Sequence, residues 1–519
     1  MKMNLLYFLA CIALAIGSCG GSATSEPVQV KAPSLLSSVP ADGAVGVEFL
    51  DHIDMVLTFN QNIECRKPVS IDNGASVDQV KTSRNQLTLT LGDLKGNSSY
   101  KLFIPAGAIC GFKENQKSAE AIAIQFTTEE DMLASFPYDK MPVPEDNAAW
   151  KMFSLLGLGW NMGNHFDAFL SGEWAGDKAL WPDETCWGCP KCTRATFTKV
   201  AEAGFRSVRI PITWLNTIGD APDYRIDEAW MNRIVEVVGW ARDAGLYVII
   251  NTHHDEDHYY GNESMGHRWL DILDATADES VNAAIKEKIR GFWTNVANTF
   301  KDEGDYLIFE SFNEINDGKW GGSSNTGKQA AVLNQWNQVF VDAVRSTGGN
   351  NATRWLGVPT YAANPGLTKY FIMPEDPAGR TMLAVHCYDP YNYTLAAGLP
   401  QQYWGEKNHK AGDEDALRNV FVPLYDNFVA KGIPVYMGEF GCSMRDYNKT
   451  KEWKNYLYYL AYFVQCSKSY GIPCFLWDNG SHGFGSEHHA YIDHGTGEYI
   501  DHSEEPVSVM VRTMNSQRR

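Results

Sequence analysis

Two glutamates stand where a buried strand would surface. In Tyr306-Leu-Ile-Phe-Glu-Ser-Phe-Asn-Glu314 an apolar, aromatic run of strand length ends in Asn313-Glu314. In Ile433-Pro-Val-Tyr-Met-Gly-Glu-Phe-Gly441 a second such run ends on Glu439. Both read as strands emerging from a core. Two carboxyl groups at two strand tips suit cleavage of a glycosidic bond, one protonating the leaving oxygen while the other attacks or stabilises the sugar cation. The two tasks need different pKa values, hence distinct, partly buried surroundings on a rigid scaffold.

That scaffold begins near Asn147, from which strand-like runs alternate with helical patterns such as Met231-Asn-Arg-Ile-Val-Glu-Val-Val-Gly-Trp240. Eight strands are predicted: Leu156–Met162, Ser207–Ile212, Leu246–Thr252, Tyr306–Phe312, Arg354–Thr360, Met382–Tyr388, Pro434–Glu439 and Cys474–Asp478. The predicted class is α/β, a (β/α)₈ barrel with long loops. An open doubly wound sheet competes less well, because no glycine-rich phosphate turn follows the first strand.

The carboxyl ends of these strands bring a set of polar and aromatic residues to one rim. Asn161, Asn164 and His165 close strand one, Arg209 lies on strand two, and His253 and His254 follow strand three. Asn313 and Glu314 end strand four, His386 and Tyr388 strand six, Glu439 strand seven, and Trp477 and Asp478 strand eight. An arginine inside a barrel needs an anionic partner, and Arg209 is assigned to Glu439, which its charge would keep ionised. Tyr388 can bond the same carboxylate, Asn313 suits a sugar 2-hydroxyl, and Trp477 offers an apolar face to a pyranose ring.

Upstream, residues 34–127 read as a small β module. Ile53–Phe59, Gln86–Leu91, Tyr100–Ile104 and Ala121–Thr127 alternate apolar with other residues between Gly, Asn and Asp turns, as in a two-sheet sandwich. Ser38-Val-Pro-Ala-Asp-Gly-Ala-Val-Gly46 with Leu57-Thr-Phe-Asn60 resembles bacterial Ig-like modules. Residues 128–146, acidic and proline-bearing, read as a linker to a catalytic domain at 147–519. Residues 1–18 carry Lys2 and the apolar run Leu5–Ile16, a secretory signal too short to span a membrane. Ile16-Gly17-Ser18-Cys19 resembles a lipobox, which implies a lipid on Cys19 and a tether at 19–33. The expected location is the bacterial cell envelope, anchored to the outer membrane and facing either the periplasm or the outside.

Taken together, Arg209-Ile-Pro, Asn251-Thr-His-His254, Phe312-Asn-Glu314, His386-Cys-Tyr388, Gly438-Glu-Phe-Gly441 and Leu476-Trp-Asp478 resemble the successive motifs of glycoside hydrolase family 5, the endoglucanase family, in order and rough spacing. The resemblance implies a retaining endo-β-1,4-glucanase with Glu314 as acid/base and Glu439 as nucleophile. It also implies that Arg209, His253, Asn313, His386, Tyr388 and Trp477 line the subsite of the bond being cut; Asn164, His165 and His254, at the same rim by their strand-end positions, are expected as further substrate contacts. Trp160-Asn-Met-Gly-Asn164 and Thr185-Cys-Trp-Gly188 resemble a branch acting on cellulose-type and mixed-linkage glucans and xyloglucan. Competing readings are an endo-β-mannanase, or a lipid-anchored glycan-binding protein without catalysis.

The net charge of −19 over 519 residues argues against a nucleic-acid partner, whose phosphates demand a basic patch. A monomer without cofactor or metal is expected. The run His253-His-Asp-Glu-Asp-His258 invites a metal-dependent hydrolase, but strand one lacks the His-x-His typical of such barrels. Cys186-Trp-Gly-Cys189-Pro-Lys-Cys192 resembles a metal knuckle without the second pair that structural zinc needs. Bridges Cys65–Cys110 and Cys466–Cys474 are plausible by position.

Overall fold

The computed structural model describes residues 31–518 apart from 113–117, 139–140, 172–175, 177–178 and 258–267. The signal segment, Cys19, most of the tether and His258 lie outside the described residues. The chain divides into two compact units, one of residues through Glu48 with Ile53–Glu129, the other of Phe49–His52 with Glu130–Arg519.

The first unit is a β-sandwich. One sheet orders Leu35–Val39, Ile53–Phe59, Gln86–Gly92 and Ser76–Ser83; the other orders Ala44–Val47, Ile122–Thr128, Ser99–Ile104 and Ser70–Ile71. Period-two alternation buries Met55, Leu57, Leu87 and Leu89 from one sheet and Leu102, Ile104, Ile124 and Phe126 from the other. Ser76–Ser83 carries no such alternation and is largely exposed. It is an edge strand that needs only backbone pairing, which explains why hydrophobic pattern did not reveal it.

In the second unit eight parallel strands close into a barrel: β1 (Leu158–Met162), β2 (Ser207–Ile210), β3 (Tyr247–Ile250), β4 (Leu307–Glu310), β5 (Leu356–Pro359), β6 (Thr381–Cys387), β7 (Val435–Phe440) and β8 (Cys474–Asp478). Each falls within or beside its predicted run. Closure is made by β1 against β8, from Leu158 opposite Cys474 to Met162 opposite Asp478, which rules out the open sheet.

Alternation decides what each strand shows to the inside. Val208, Ile210, Val248, Ile250, Leu307 and Phe309 face outward and pack with Ile234, Val237, Ile289, Trp293, Trp336 and Phe340 of the surrounding helices. Ile249, Ile308, Met382, Ala384, Tyr436 and Phe475 fill the interior, and Met152 and Leu156 of the helix Ala148–Leu156 join the same cluster. Small residues face large ones. A β-carbon on Gly159 would lie 2.2 Å from Phe475, and one on Gly357 2.1 Å from the Tyr436 hydroxyl.

Part of the stretch read as a linker belongs to the barrel unit, because Leu133 and Phe136 are buried in its core and Phe136 lies 4.9 Å from the Tyr462 ring. The nine described cysteines are free thiols, so the anticipated Cys65–Cys110 and Cys466–Cys474 bridges are not formed. Cys466 and Cys474 are buried instead as small apolar side chains. No helix among the described residues is long and apolar enough to cross a membrane.

Filling the tight place inside β1 tests this packing. Gly159→Ala should cost about 1–3 kcal/mol, read as a lower urea midpoint for the barrel with the m-value unchanged.

Candidate active site

Above the apolar interior layer the next inward positions are polar. Arg209 stands on β2 between outward-facing Val208 and Ile210. Its guanidinium is completely buried. Nε and Nη2 donate to Glu310 at 3.1 and 2.7 Å, Nη1 to Glu439 at 2.8 Å and to Asn161 at 3.0 Å, and Nη2 also to Asn313 at 2.8 Å. The assignment of Arg209 to Glu439 is therefore half of the arrangement. Glu310, inward on β4 by the same alternation that turns Ile308 inward, is the larger partner, and sequence reading passed over it. Its signal was a charged residue inside a buried strand two positions after an inward one. Glu310 further accepts from Tyr436 Oη at 2.7 Å and Asn251 Nδ2 at 2.9 Å. Burial raises the Glu310 carboxyl, but Arg209 more than offsets this and holds it below its ordinary value. Burial likewise opposes the charge on Arg209, and Glu310 and Glu439 together outweigh it and raise that group.

Glu439 reaches the interior through an irregularity. Tyr436 faces in and Met437 out, so strict alternation would turn Glu439 outward and Phe440 inward. Instead Phe440 packs outside, and the register against β6 slips between Val385 and His386, setting His386 opposite Glu439. A bulge of this kind re-aims one side chain. Gly438 permits it, since a β-carbon there would lie 2.9 Å from His386 Nε2, and Asn161 Nδ2 braces it by donating to Gly438 O at 2.9 Å.

The two carboxyls then meet across His386. Its Nδ1 lies 2.6 Å from Glu314 Oε1 and 3.8 Å from Glu439 Oε1, and one oxygen of each glutamate falls within 4.8 Å of the other. Tyr388 Oη donates to Glu439 Oε2 at 3.1 Å. Burial pushes Glu314 up from 4.5 to about 7, and the charge of Glu256 adds to the rise while Arg209 opposes it. Burial also raises Glu439, against the opposing pull of His386 and Arg209. Burial brings His386 down to about 4 despite Glu439, so the ring is neutral at neutral pH and Nδ1 can accept from protonated Glu314.

Of the other predicted residues, Trp477 and His253 are brought to this rim, their rings parallel within 6° at 6.0 Å. A β-carbon on Gly163 would strike the Trp477 ring at 2.6 Å, so glycine there makes room for the indole. His254 lies next to His253, its Nδ1 3.5 Å from Glu256 Oε1. Asn164 occupies a turn at φ 54°, its N–H donating to Asp167. That turn carries His165 away from the cleft. Its ring is fully buried against Phe166 and His494, with Nε2 3.0 Å from Pro190 O, a correction to its placement among the substrate contacts.

The cysteine knuckle does not converge either. Cys192 is covered by Arg233 and Glu184, which pair with each other, while Cys189 points to Asn479 O at 3.4 Å. His165, Glu184 and Cys192 do approach one another; Arg233 donates to both Glu184 oxygens, at 3.0 and 2.9 Å, while the buried His165 Nδ1 has no hydrogen-bond partner.

Comparison with known proteins agrees with this geometry. The family described as Cellulase (glycosyl hydrolase family 5) matches residues 173–483, and that described as Bacterial Ig-like domain matches residues 29–128. Endoglucanase A of Paenibacillus barcinonensis is 37% identical over 63% of this chain and 82% of its own. The xyloglucan-specific endo-beta-1,4-glucanase of Bacteroides ovatus is 33% identical over 66% of this chain and 68% of its own. The solved broad specificity endoglucanase from Bacteroides salanitronis is 45% identical, with TM-score 0.66, over 72% of this chain and 96% of that one.

Two outcomes follow from the buried charges. Glu310→Gln leaves Arg209 short of its main counter-charge and should cost about 3–5 kcal/mol, measured by urea denaturation. Glu314 holds its proton more tightly folded than unfolded, so the stability it gives is full below about pH 4.5 and withdrawn as pH rises to about 7. The alkaline limb of kcat/KM should be centred near pH 7, and Glu256→Gln should move that limb to lower pH.

Proposed function

The chain belongs to glycosyl hydrolase family 5, and on that premise we propose that it cuts internal β-1,4 linkages of a β-glucan with retention of anomeric configuration. The observation that carries this reading is the carboxyl pair, with oxygens of Glu314 and Glu439 within 4.8 Å of one another. That spacing suits a direct attack, for which the carboxyls lie about 5–5.5 Å apart, and leaves no room for the water that an inverting enzyme places across about 6.5–9.5 Å.

The environments divide the labour. Glu314, raised to about 7, supplies a proton, and Glu439, bonded to Arg209 and Tyr388, supplies an electron pair. In the first step a Glu439 oxygen bonds to the anomeric carbon, the glycosidic C–O bond breaks, and the Glu314 proton goes to the departing oxygen. The two carboxyls repel when both are charged, an influence that counts among those raising Glu439; esterified Glu439 carries no charge, so that repulsion is gone and Glu314 ionises more readily. Glu314 then takes a proton from water, whose oxygen displaces Glu439 and restores both groups. Trp477 stacks the sugar being transferred, and Asn313, fixed by Arg209, faces its 2-hydroxyl. The names of the relatives support a glucan, xyloglucan among them, as the polymer. The apolar run before Cys19 supports a lipid anchor at the cell envelope, and the enzyme works there as a monomer.

Reducing-sugar release from cellulose derivative, mixed-linkage glucan, xyloglucan and mannan tests the reading. Release from at least one glucan is expected, with Glu439→Gln lowering it by on the order of 10³-fold or more. Inversion at the anomeric centre, followed by nuclear magnetic resonance, would exclude the double displacement. Release from mannan alone, or from no polymer, would exclude the glucanase.

A further inference from the structure

The loop between β1 and the helix Arg194–Glu202 brings together three side chains of metal-ligand type. His165 and Cys192 stand near its two ends, with Glu184 between them in the chain. His165 Nδ1 is 3.7 Å from Glu184 Oε2, and Cys192 Sγ is 3.9 Å from the same oxygen. One donor atom of each residue lies within 4.8 Å of the other two. A tetrahedral zinc ion, with bonds of about 2.0–2.3 Å, holds such donors about 3.3–3.6 Å apart, only slightly less than the two spacings to Oε2. The ligands missing from the cysteine knuckle thus come from a histidine and a glutamate outside it.

His165 supplies an independent sign. Its ring is fully buried, yet Nδ1 has no hydrogen-bond partner, a costly state for a polar atom. On the other side of the ring, Nε2 lies 3.0 Å from Pro190 O and 3.1 Å from Cys192 N. With the proton on Nε2, the ring donates to the Pro190 carbonyl and turns a bare Nδ1 lone pair toward Glu184 and Cys192. Metal-bound histidines are held in this way, the second nitrogen donating to a carbonyl. With the proton on Nδ1, Nε2 accepts from the Cys192 N–H and the buried Nδ1–H has no acceptor in reach. Burial keeps the ring neutral, the form that binds metal.

Arg233 fits beside such an ion rather than in its place. Nε donates to Glu184 Oε1 at 3.0 Å and Nη2 to Oε2 at 2.9 Å, which leaves each oxygen a second lone pair. Nη2 also lies 3.3 Å from Cys192 Sγ, where a donor favours the thiolate. Glu236 takes Nη1 at 2.6 Å, and Lys191 reaches Glu184 only from solvent, at 3.5 Å. Arg233 alone does not neutralise Glu184, Glu236 and a Cys192 thiolate. A divalent cation completes the balance.

We propose that His165, Glu184 and Cys192 form a zinc site, with water as fourth ligand, that staples the loop after β1 to the start of the helix Arg194–Glu202. Thiolate and imidazole beside one carboxylate suit zinc, whereas calcium and magnesium take oxygen alone. As the zinc–sulfur bond forms, the Cys192 thiol proton passes to solvent. The site holds the loop and takes no part in cutting sugar, so it stands or falls independently of the glucanase reading.

Cobalt(II) titration of the full chain, stripped of metal by a chelator and kept reduced by a phosphine, tests the site. Three groups among the described residues could hold a metal, and this one alone contains sulfur, so a thiolate-to-cobalt charge-transfer band in the near ultraviolet reports on it. One equivalent should saturate the band, and zinc should displace it. Cys192→Ser should abolish the band, while Cys186→Ser and Cys189→Ser keep it. No band in the unaltered chain, a band that survives Cys192→Ser, or one lost with either other cysteine overturns the site. Should Cys192→Ser lose the circular dichroism of the fold, Glu184→Gln decides in its place. It should weaken cobalt binding about ten-fold or more, and unchanged affinity overturns the site.

Discussion

A guanidinium with no access to water governs the upper half of this barrel. Arg209 can be charged there only because acceptors meet each of its nitrogens, two of them on Glu310 and another on Glu439. Removing a partner from such a pair costs far more than forming it gains, since the stranded charge stays buried. The constraint therefore propagates. Glu310 must be inward on β4, Tyr436 and Asn251 must satisfy its remaining lone pairs, and Asn161 and Asn313 must orient toward the same cation. What results is a rigid polar layer lying directly on an apolar one.

On that layer two chemically identical side chains acquire different properties. Glu439 touches the guanidinium, whereas Glu314 sits beyond it, partly buried, with the charge of Glu256 nearby and the His386 imidazole against it. Burial raises both carboxyls, but positive charge opposes the rise more directly at Glu439. The difference between these like residues follows from where each strand tip stands. It needs only that one strand tip lie closer to the cation than the other.

The same economy extends outward. Glycines at 163, 438 and 480 lie where a β-carbon would collide with Trp477, His386 and Cys189 respectively. Each missing methyl group lets its neighbour occupy a place that an ordinary residue would fill. Gly163 in this way gives the Trp477 indole its place parallel to the His253 ring.

Eight strands, their order and most of the rim were legible in the sequence because hydrophobic alternation and strand-end polarity are local signals. They survive in any fold that buries the apolar positions. Glu314, Glu439, Arg209, His386, Tyr388 and Trp477 were placed on their strands or strand ends in this way. Glu310 was not, because its meaning comes from Arg209, 101 residues away, and no local pattern states a pairing across strands. His165 looked like a rim residue until a turn at Asn164 sent it into the loop core, and the cysteines looked like bridge partners until their neighbours were known. The inward aim of Glu439 is the sharpest case. Periodicity alone turns it to the outer face, and only closure of the barrel, with the register slip at Gly438 and the brace from Asn161, brings it within reach of Arg209. Thus the order of residues determined which groups stand at the strand tips. The tertiary structure decided which of them face one another, since a buried charge chooses its partner only once the chain has closed around it.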